Sequence, residues 1–317
     1  MTPLTIAYIT ARENPRFEWF VSSLKREIRE MPDVDHSGLE VIIIDGKRRT
    51  SAPIIGGDFD HTSVRVISTH PKPTPWQGEY RQTSKDYFAA ANARNTALAL
   101  ARNSHVAFVD DLSVLLPGWL KAHYYAADNK RVLAGTICKN KDIVVAHDGE
   151  ILSFVEYLPG RDSRLRLITA ADEWQRCSGQ WLYGGTFSVP LELALAVNGL
   201  DEINDSIGGE DYDFGLRLER AGGEIWICKT CGTFEDEDAH HTGDHMLRLD
   251  KLWPKEDGPY SSNHLLNQLL RDGSIVRARG NDFDLRQLRE DVKNGKGFPK
   301  PAPGIKHWVD GQLLSDM

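Results

Sequence analysis

The opening of the chain limits its fold more than any other stretch. Leu4 to Ile9 is an unbroken β-prone run, and Leu39 to Ile44 is a second one. Such runs read as strands buried on both faces. Between them, Arg16 to Glu30 carries Phe17, Phe20, Val21, Leu24 and Ile28 on one helical stripe. Strand, helix and strand in that order predict a right-handed parallel unit. Ligands of such sheets bind beyond the strand carboxyl ends. That rim holds Thr10, Arg12, Asp45 and Lys47.

The pattern continues with a third strand at Val64 to Ser68, a Pro-rich loop from His70 to Gly78, and a helix from Gln82 to Arg102. The next buried strand, His105 to Val109, ends in Asp110-Asp111, and Pro117 opens another helix. Val132 to Cys138, Ile143 to Ala146 and Ile151 to Tyr157 read as strands, the last two joined at Asp148-Gly149. Here the alternation stops, as if a small antiparallel piece were added to the parallel sheet. Thr186 to Val189 is a strand, and Pro190 starts a helix. Gly208-Gly209-Glu210-Asp211 opens another helix that stops at Ala221-Gly222-Gly223. Glu224 to Cys228 is a strand, and a helix falls near Tyr260 to Leu270. The expected organisation is an α/β domain over 1–250, with halves 1–115 and 116–250, and a helical or irregular extension over 251–317.

Composition excludes several classes. Apolar residues make up 40% of 317, enough for an ordinary core. A net charge of −8 argues against a general nucleic-acid surface. No apolar run is long enough to span a bilayer. The N-terminus lacks the basic start of a signal peptide and reads as a strand. Four cysteines in a chain of this length do not make a disulfide framework. A soluble, cytoplasmic protein is expected.

Six groups of residues carry chemistry. Glu210 and Asp211 sit at a helix N-terminus, which favours ionised carboxylates. The glycines before them let another molecule approach the backbone. An ionised carboxylate on such a ledge suits removal of a hydroxyl proton; the alternative is a capping role. Asp110 and Asp111, at a strand end, form a hard oxygen site for Mg²⁺ or Mn²⁺, or else cap the turn. His240, with His241 and His245 as alternatives, offers imidazole to such an ion. Cys228-Lys229-Thr230-Cys231 is read as core cysteine, with a zinc site as the alternative. Arg12, Lys47, Arg48, Lys85 and Arg94 are candidate cations for a diphosphate, with solvated surface charge as the alternative. Trp181 and Tyr183 offer aromatic faces beside the carboxylate ledge, suited to a sugar ring or a base.

Together these segments resemble the GT-A nucleotide-sugar glycosyltransferases, in particular the family 2 type. AANARNTALALARNSHVAFVDDLSVLLPGWL is similar to their Ala-Arg-Asn segment and metal-binding Asp motif. YGGTFSVPLELALAVNGLDE and IGGEDYDFGLRLERAGG resemble the carboxyl-terminal acceptor half of β1,4-galactosyltransferases. The resemblance spans roughly Leu4 to His245. It implies that Thr10, Arg12 and Asp45 meet the nucleoside of a uridine-diphosphate sugar. Arg94, Lys85 and Asp110 lie at the donor, and Asp111 and His240 hold the ion. Trp181, Tyr183, Gly184, Gly185 and Gly209 line the acceptor place. Asp211 is the general base and Glu210 binds the acceptor. One departure matters: Leu112 stands at the third place of the Asp motif, where many relatives carry a carboxylate.

The implied reaction is a single inverting displacement, in which Asp211 takes the acceptor hydroxyl proton and the metal offsets charge on the leaving diphosphate. Rival readings are a non-catalytic nucleotide-sugar or glycan-binding protein, a retaining GT-A transferase, and a nucleotidyltransferase. The last wants a glycine-rich loop after the first strand, and Thr10 to Pro15 contains no glycine. The acceptor itself, whether glycan, small molecule or modified nucleobase, is not readable from the sequence.

Overall fold

A computed structural model describes residues 1–47, 64–75, 88–169, 173–205, 209–240, 276–278, 280–301, 306–309 and 312–315. The expected opening is present. β1 (Leu4–Thr10) pairs in parallel with β2 (Glu40–Asp45), and α1 (Phe17–Arg29) connects them. β2 pairs in parallel with β3 (Arg65–Thr69). All seven residues of β1 and all six of β2 are buried, because helices cover both sheet faces.

α2 (Ala90–Leu100) leads into β4 (His105–Asp110), which pairs in parallel with β1 on its other side. The helix begins at Ala90 instead of Gln82; Phe88 and Ala89 are not helical, and the stretch before them lies outside the described residues. β5 (Ser113–Leu115) and α3 (Trp119–Asp128) follow. β6 (Val132–Val145) is one long strand where two were expected, and β7 (Ile151–Glu156) returns against it. Irregular turns and the short β8 (Trp174–Arg176) lead to β9 (Thr186–Pro190) and α4 (Leu191–Ala196). α5 (Glu210–Arg220), β10 (Ile225–Asp236) and the single turn α6 (Glu237–His240) complete the main body. α7 (Leu285–Lys293) packs back onto it, and β11 (Lys306–Val309) pairs with β12 (Gln312–Ser315).

The main sheet runs β3-β2-β1-β4-β9-β6-β10-β5, with β7 on β6 and β8 on β10. It is parallel from β3 to β4; β9 enters antiparallel to β4 and to β6. One core cluster lies between the sheet and α2, α4, α5 and α7, and holds Ile9, Leu98, Phe108, Phe187 and Phe214. The other lies under α1 and α3, around Tyr8, Phe20, Leu24 and Trp119. Leu285 and Leu288 of α7 belong to the first cluster, so this part of the chain beyond residue 250 shares the main core. No described helix is long and apolar enough to cross a membrane.

Candidate active site

The carboxyl ends of β1, β4 and β10 and the amino end of α5 meet around one buried arginine. Arg94 projects from α2, and its side chain is 1% exposed. Nη1 donates to Glu210 Oε1 at 3.0 Å. Nη2 donates to Asp110 Oδ1 at 2.8 Å and to the carbonyl of Gly184 at 2.9 Å. A Cβ at Gly184 would lie 2.6 Å from that Nη2, so only glycine leaves room for the guanidinium. Burial opposes the charge of Arg94, but Asp110, Glu210 and Asp211 outweigh it and raise its pKa.

The amino end of α5 is built as expected. Gly209 caps it at φ 82, a left-handed value that glycine adopts without strain. Asp211 Oδ2 accepts from the Gly184 amide at 2.6 Å, and Oδ1 from the Tyr212 amide at 2.7 Å. Two backbone donors thus fix the carboxylate beside the Gly184-Gly185 ledge. Burial first, then the charge of Asp211, pushes Glu210 up to about 7 despite Arg94. Asp211 is also among the groups that raise Asp110, so the two acids act on one space.

Asp111 is held from the other side. Oδ2 accepts from Thr10 Oγ1 at 2.7 Å and Oδ1 from Arg12 Nε at 2.9 Å. Burial nevertheless pushes its pKa up to about 6. Leu112 turns the chain at φ 62 and is 1% exposed, so its side chain belongs to the interior. A third carboxyl comes from elsewhere. Glu235 of β10 pairs across the ladder with Ser113, two residues from Asp111. Its Oε1 would lie 2.5 Å from a Cβ on Gly185. Burial, then Asp110, pushes Glu235 up to about 8. Glu235 is hidden in FEDEDAHH because the strand reads as ending at Cys228; its continuation beyond Cys231 is the signal that carries Glu235 onto β10.

The acids suit a hard divalent ion in character. Mg²⁺ and Mn²⁺ take carboxylate oxygens. Asp111 has about four acceptor sites and Thr10 and Arg12 take two of them. Burial and the neighbouring Asp110 and Asp111 disfavour the charged form of Glu235, and a bound cation would favour it. Among the described residues no three His, Cys, Asp or Glu side chains already stand together as a metal shell. The side chain of His240, and His241 and His245 altogether, lie outside the described residues, as do Lys85 and Arg48.

Other expected residues fall as follows. Arg94, expected beside a diphosphate, is buried and pairs with both Asp110 and Glu210. Thr10 and Arg12 stand on the rim but turn their side chains to Asp111. Asp45 closes β2 and accepts from the Lys47 amide at 2.9 Å. Lys47 pairs with Glu13 at 3.1 Å. Tyr183 is 37% exposed, with the Arg164 guanidinium 3.9 Å from its ring centroid. Arg164 also donates to the Trp181 carbonyl, fixing the segment before Gly184. Gly185 accepts from the Asp110 amide at 3.0 Å. Cys228 and Cys231 are buried free thiols, as a core reading expects, and Cys231 Sγ lies 3.3 Å from His123 Nε2.

No protein-family model matches the sequence, and no curated protein matches it. Solved structures do. S. aureus TarS 1–349 in complex with UDP superposes with a TM-score of 0.51 at 13% identity, covering 100% of this chain and 96% of that one. S. aureus TarS gives 0.48 at 14% identity, over 74% of this chain and 37% of that one. GalNAc-T7 with UDP, GalNAc and Mn²⁺ gives 0.48 at 15% identity, over 85% and 48%. The chain thus spans between a third and a half of the length of these last two. The mixed sheet flanked by helices is the GT-A-like glycosyltransferase fold.

Proposed function

We propose that the chain is an inverting glycosyltransferase that moves a sugar from a nucleoside diphosphate, with uridine as the base, to an acceptor hydroxyl. The observation that carries this reading is the linkage of Asp211, through the Gly184 peptide and Arg94, to Asp110 at the end of β4. A proton acceptor and a diphosphate-facing acid are thereby fixed in one rigid unit. Such fixed geometry is what a two-substrate displacement requires.

In this reading Asp211 receives the proton of the acceptor hydroxyl. The oxygen attacks the anomeric carbon from the face opposite the nucleotide, the carbon–oxygen bond to the diphosphate breaks, and the diphosphate leaves. Glu210 binds the acceptor while tied to Arg94, and the exposed part of Tyr183 borders the acceptor. Asp111, with the adjacent Asp110, would hold Mn²⁺ or Mg²⁺, and Glu235 lies near enough to act on both electrostatically. Such an ion supplies positive charge to the departing phosphate. Arg12 adds a second positive charge on the rim and Arg94 orders the acids from behind. The UDP in the TarS complex supports the choice of donor. Incubation with a panel of UDP-sugars and Mn²⁺ tests the reading: UDP release that grows on adding sugar acceptors supports transfer, and binding without any release would assign a non-catalytic role.

A further inference from the structure

α2, the helix that carries Arg94, has no cap of its own. Ala89 precedes it without a capping hydrogen bond, and it has neither an acid in its first turn nor a base in its last. Helix ends leave backbone groups unmatched and carry partial charge, positive at the amino end and negative at the carboxyl end. Both ends of α2 are met by buried side chains from far along the chain. Asp205 accepts from the amides of Ala91 at 2.8 Å and Asn92 at 3.2 Å. Arg289 of α7 donates from Nη1 to the carbonyls of Leu98 at 3.2 Å and Ala99 at 3.3 Å. Each charge has the sign that its end of the helix favours. Asp205 is 2% exposed and Arg289 is 6% exposed.

The segment that brings Arg289 also grips the loop that brings Asp205. The Ala278 amide donates to Val197 O at 2.9 Å, and the Gly280 amide to Asp201 Oδ1 at 3.1 Å. The Asn281 side chain donates to Leu200 O at 2.9 Å and the Leu285 amide to Asn198 Oδ1 at 2.7 Å. Buried Leu285 and Leu288 anchor α7 in the cluster that holds Ala97 and Leu98. The carboxyl-terminal segment therefore supplies the partner at one end of α2 and holds the loop that supplies the partner at the other. One turn inside the Asp205 pin stands Arg94.

We infer that residues 280–293 are part of the active-site scaffold, with Arg289 a positioning residue that fixes α2 and so the Arg94 guanidinium against Asp110 and Glu210. This rests on the proposed role of the Arg94 linkage, but its test does not need turnover. Amide hydrogen exchange is measured on the full chain without substrates, for the native protein, Arg289→Gln and Arg289→Lys. The expected result for Arg289→Gln is exchange about tenfold faster in Ala90–Leu100 and at Glu210–Tyr212, with β1 and β4 unchanged, because local opening follows lost anchors. Arg289→Lys, which keeps the charge, recovers most of the protection. In a transfer assay, kcat falls about tenfold in Arg289→Gln while both KM values hold, as for lost positioning of reacting groups. Exchange that rises only in α7, rises uniformly over the sheet, or does not rise overturns the inference. Should Arg289→Gln fail to fold, Asp205→Asn loosens the other end, and the same two segments must respond. A native protein that transfers no sugar would end the proposed function and leave the exchange result standing.

Discussion

Arg94 and Glu210 are 116 residues apart in sequence and meet at 3.0 Å inside the protein. The same guanidinium holds Asp110, so two acids from opposite halves of the domain share one cation. Removing that cation leaves two partly buried acids without it. Breaking a fully buried pair on one side typically costs about 3–5 kcal/mol. Arg94→Met should therefore lower stability by less than that amount in denaturant titration, and Arg94→Lys, a point charge that cannot serve both acids, by less still.

Activity should depend on the ionisation of Glu210. Its pKa is pushed up to about 7, chiefly by burial. Below that pH the carboxyl is protonated and its pairing with Arg94 weakens. The rate of transfer at limiting acceptor should rise with pH through about 7. Glu210→Gln should lose this limb as well as acceptor affinity, a result read from kcat/KM profiles of the two proteins.

Acid should destabilise the fold through buried histidine. Burial pushes His105 down to about 3, and it lies 3.0 Å from Ser188 Oγ in its neutral form. In the unfolded chain it titrates near 6.5. The unfolded state thus binds more protons between those values, and the stability contributed by His105 is present above about 6.5 and lost as pH falls. At pH 5 the loss is about 2 kcal/mol by linkage. His105→Gln cannot titrate, so its melting temperature should fall less between pH 7 and 5 than that of the native protein.

A divalent ion should tighten nucleotide binding. Asp110 and Asp111 both act electrostatically on Glu235, which burial pushes up to about 8. UDP titrated calorimetrically in Mn²⁺ should bind at least about tenfold tighter than in chelator, with proton release in the presence of the ion. Equal affinity in both would remove the metal from the account.

Much of the frame was legible in the sequence, for reasons that are local. The β1–α1–β2 opening follows from buried runs and one apolar stripe, and α5 from Gly209 before it and Gly222 after it. What was not legible depends on distant partners. β6 reads as two strands because Asn140-Lys141-Asp142 interrupts its apolar pattern. In the fold Asp142 takes a left-handed φ of 49 and the ladder shifts register between Lys141 and Val144, so one strand continues. β5 and β8 have three residues each, too few to show a period. β10 was expected to end at Cys228, but a register shift between Ile227 and Gly232 lets it run to Asp236 and brings Glu235 to the site. Arg94 could be named as a candidate from its segment, but its partners lie too far along the chain for any spacing rule to find.

In the proposed reaction Asp211 takes the proton of the acceptor hydroxyl that attacks a bound nucleotide sugar. The most direct measurement follows UDP release and acceptor glycosylation by the native protein and by Asp211→Asn, with UDP affinity determined for both. The expected result is unchanged UDP affinity and transfer slower by on the order of a hundredfold or more, as for loss of a general base. Turnover of Asp211→Asn at close to the native rate would contradict it.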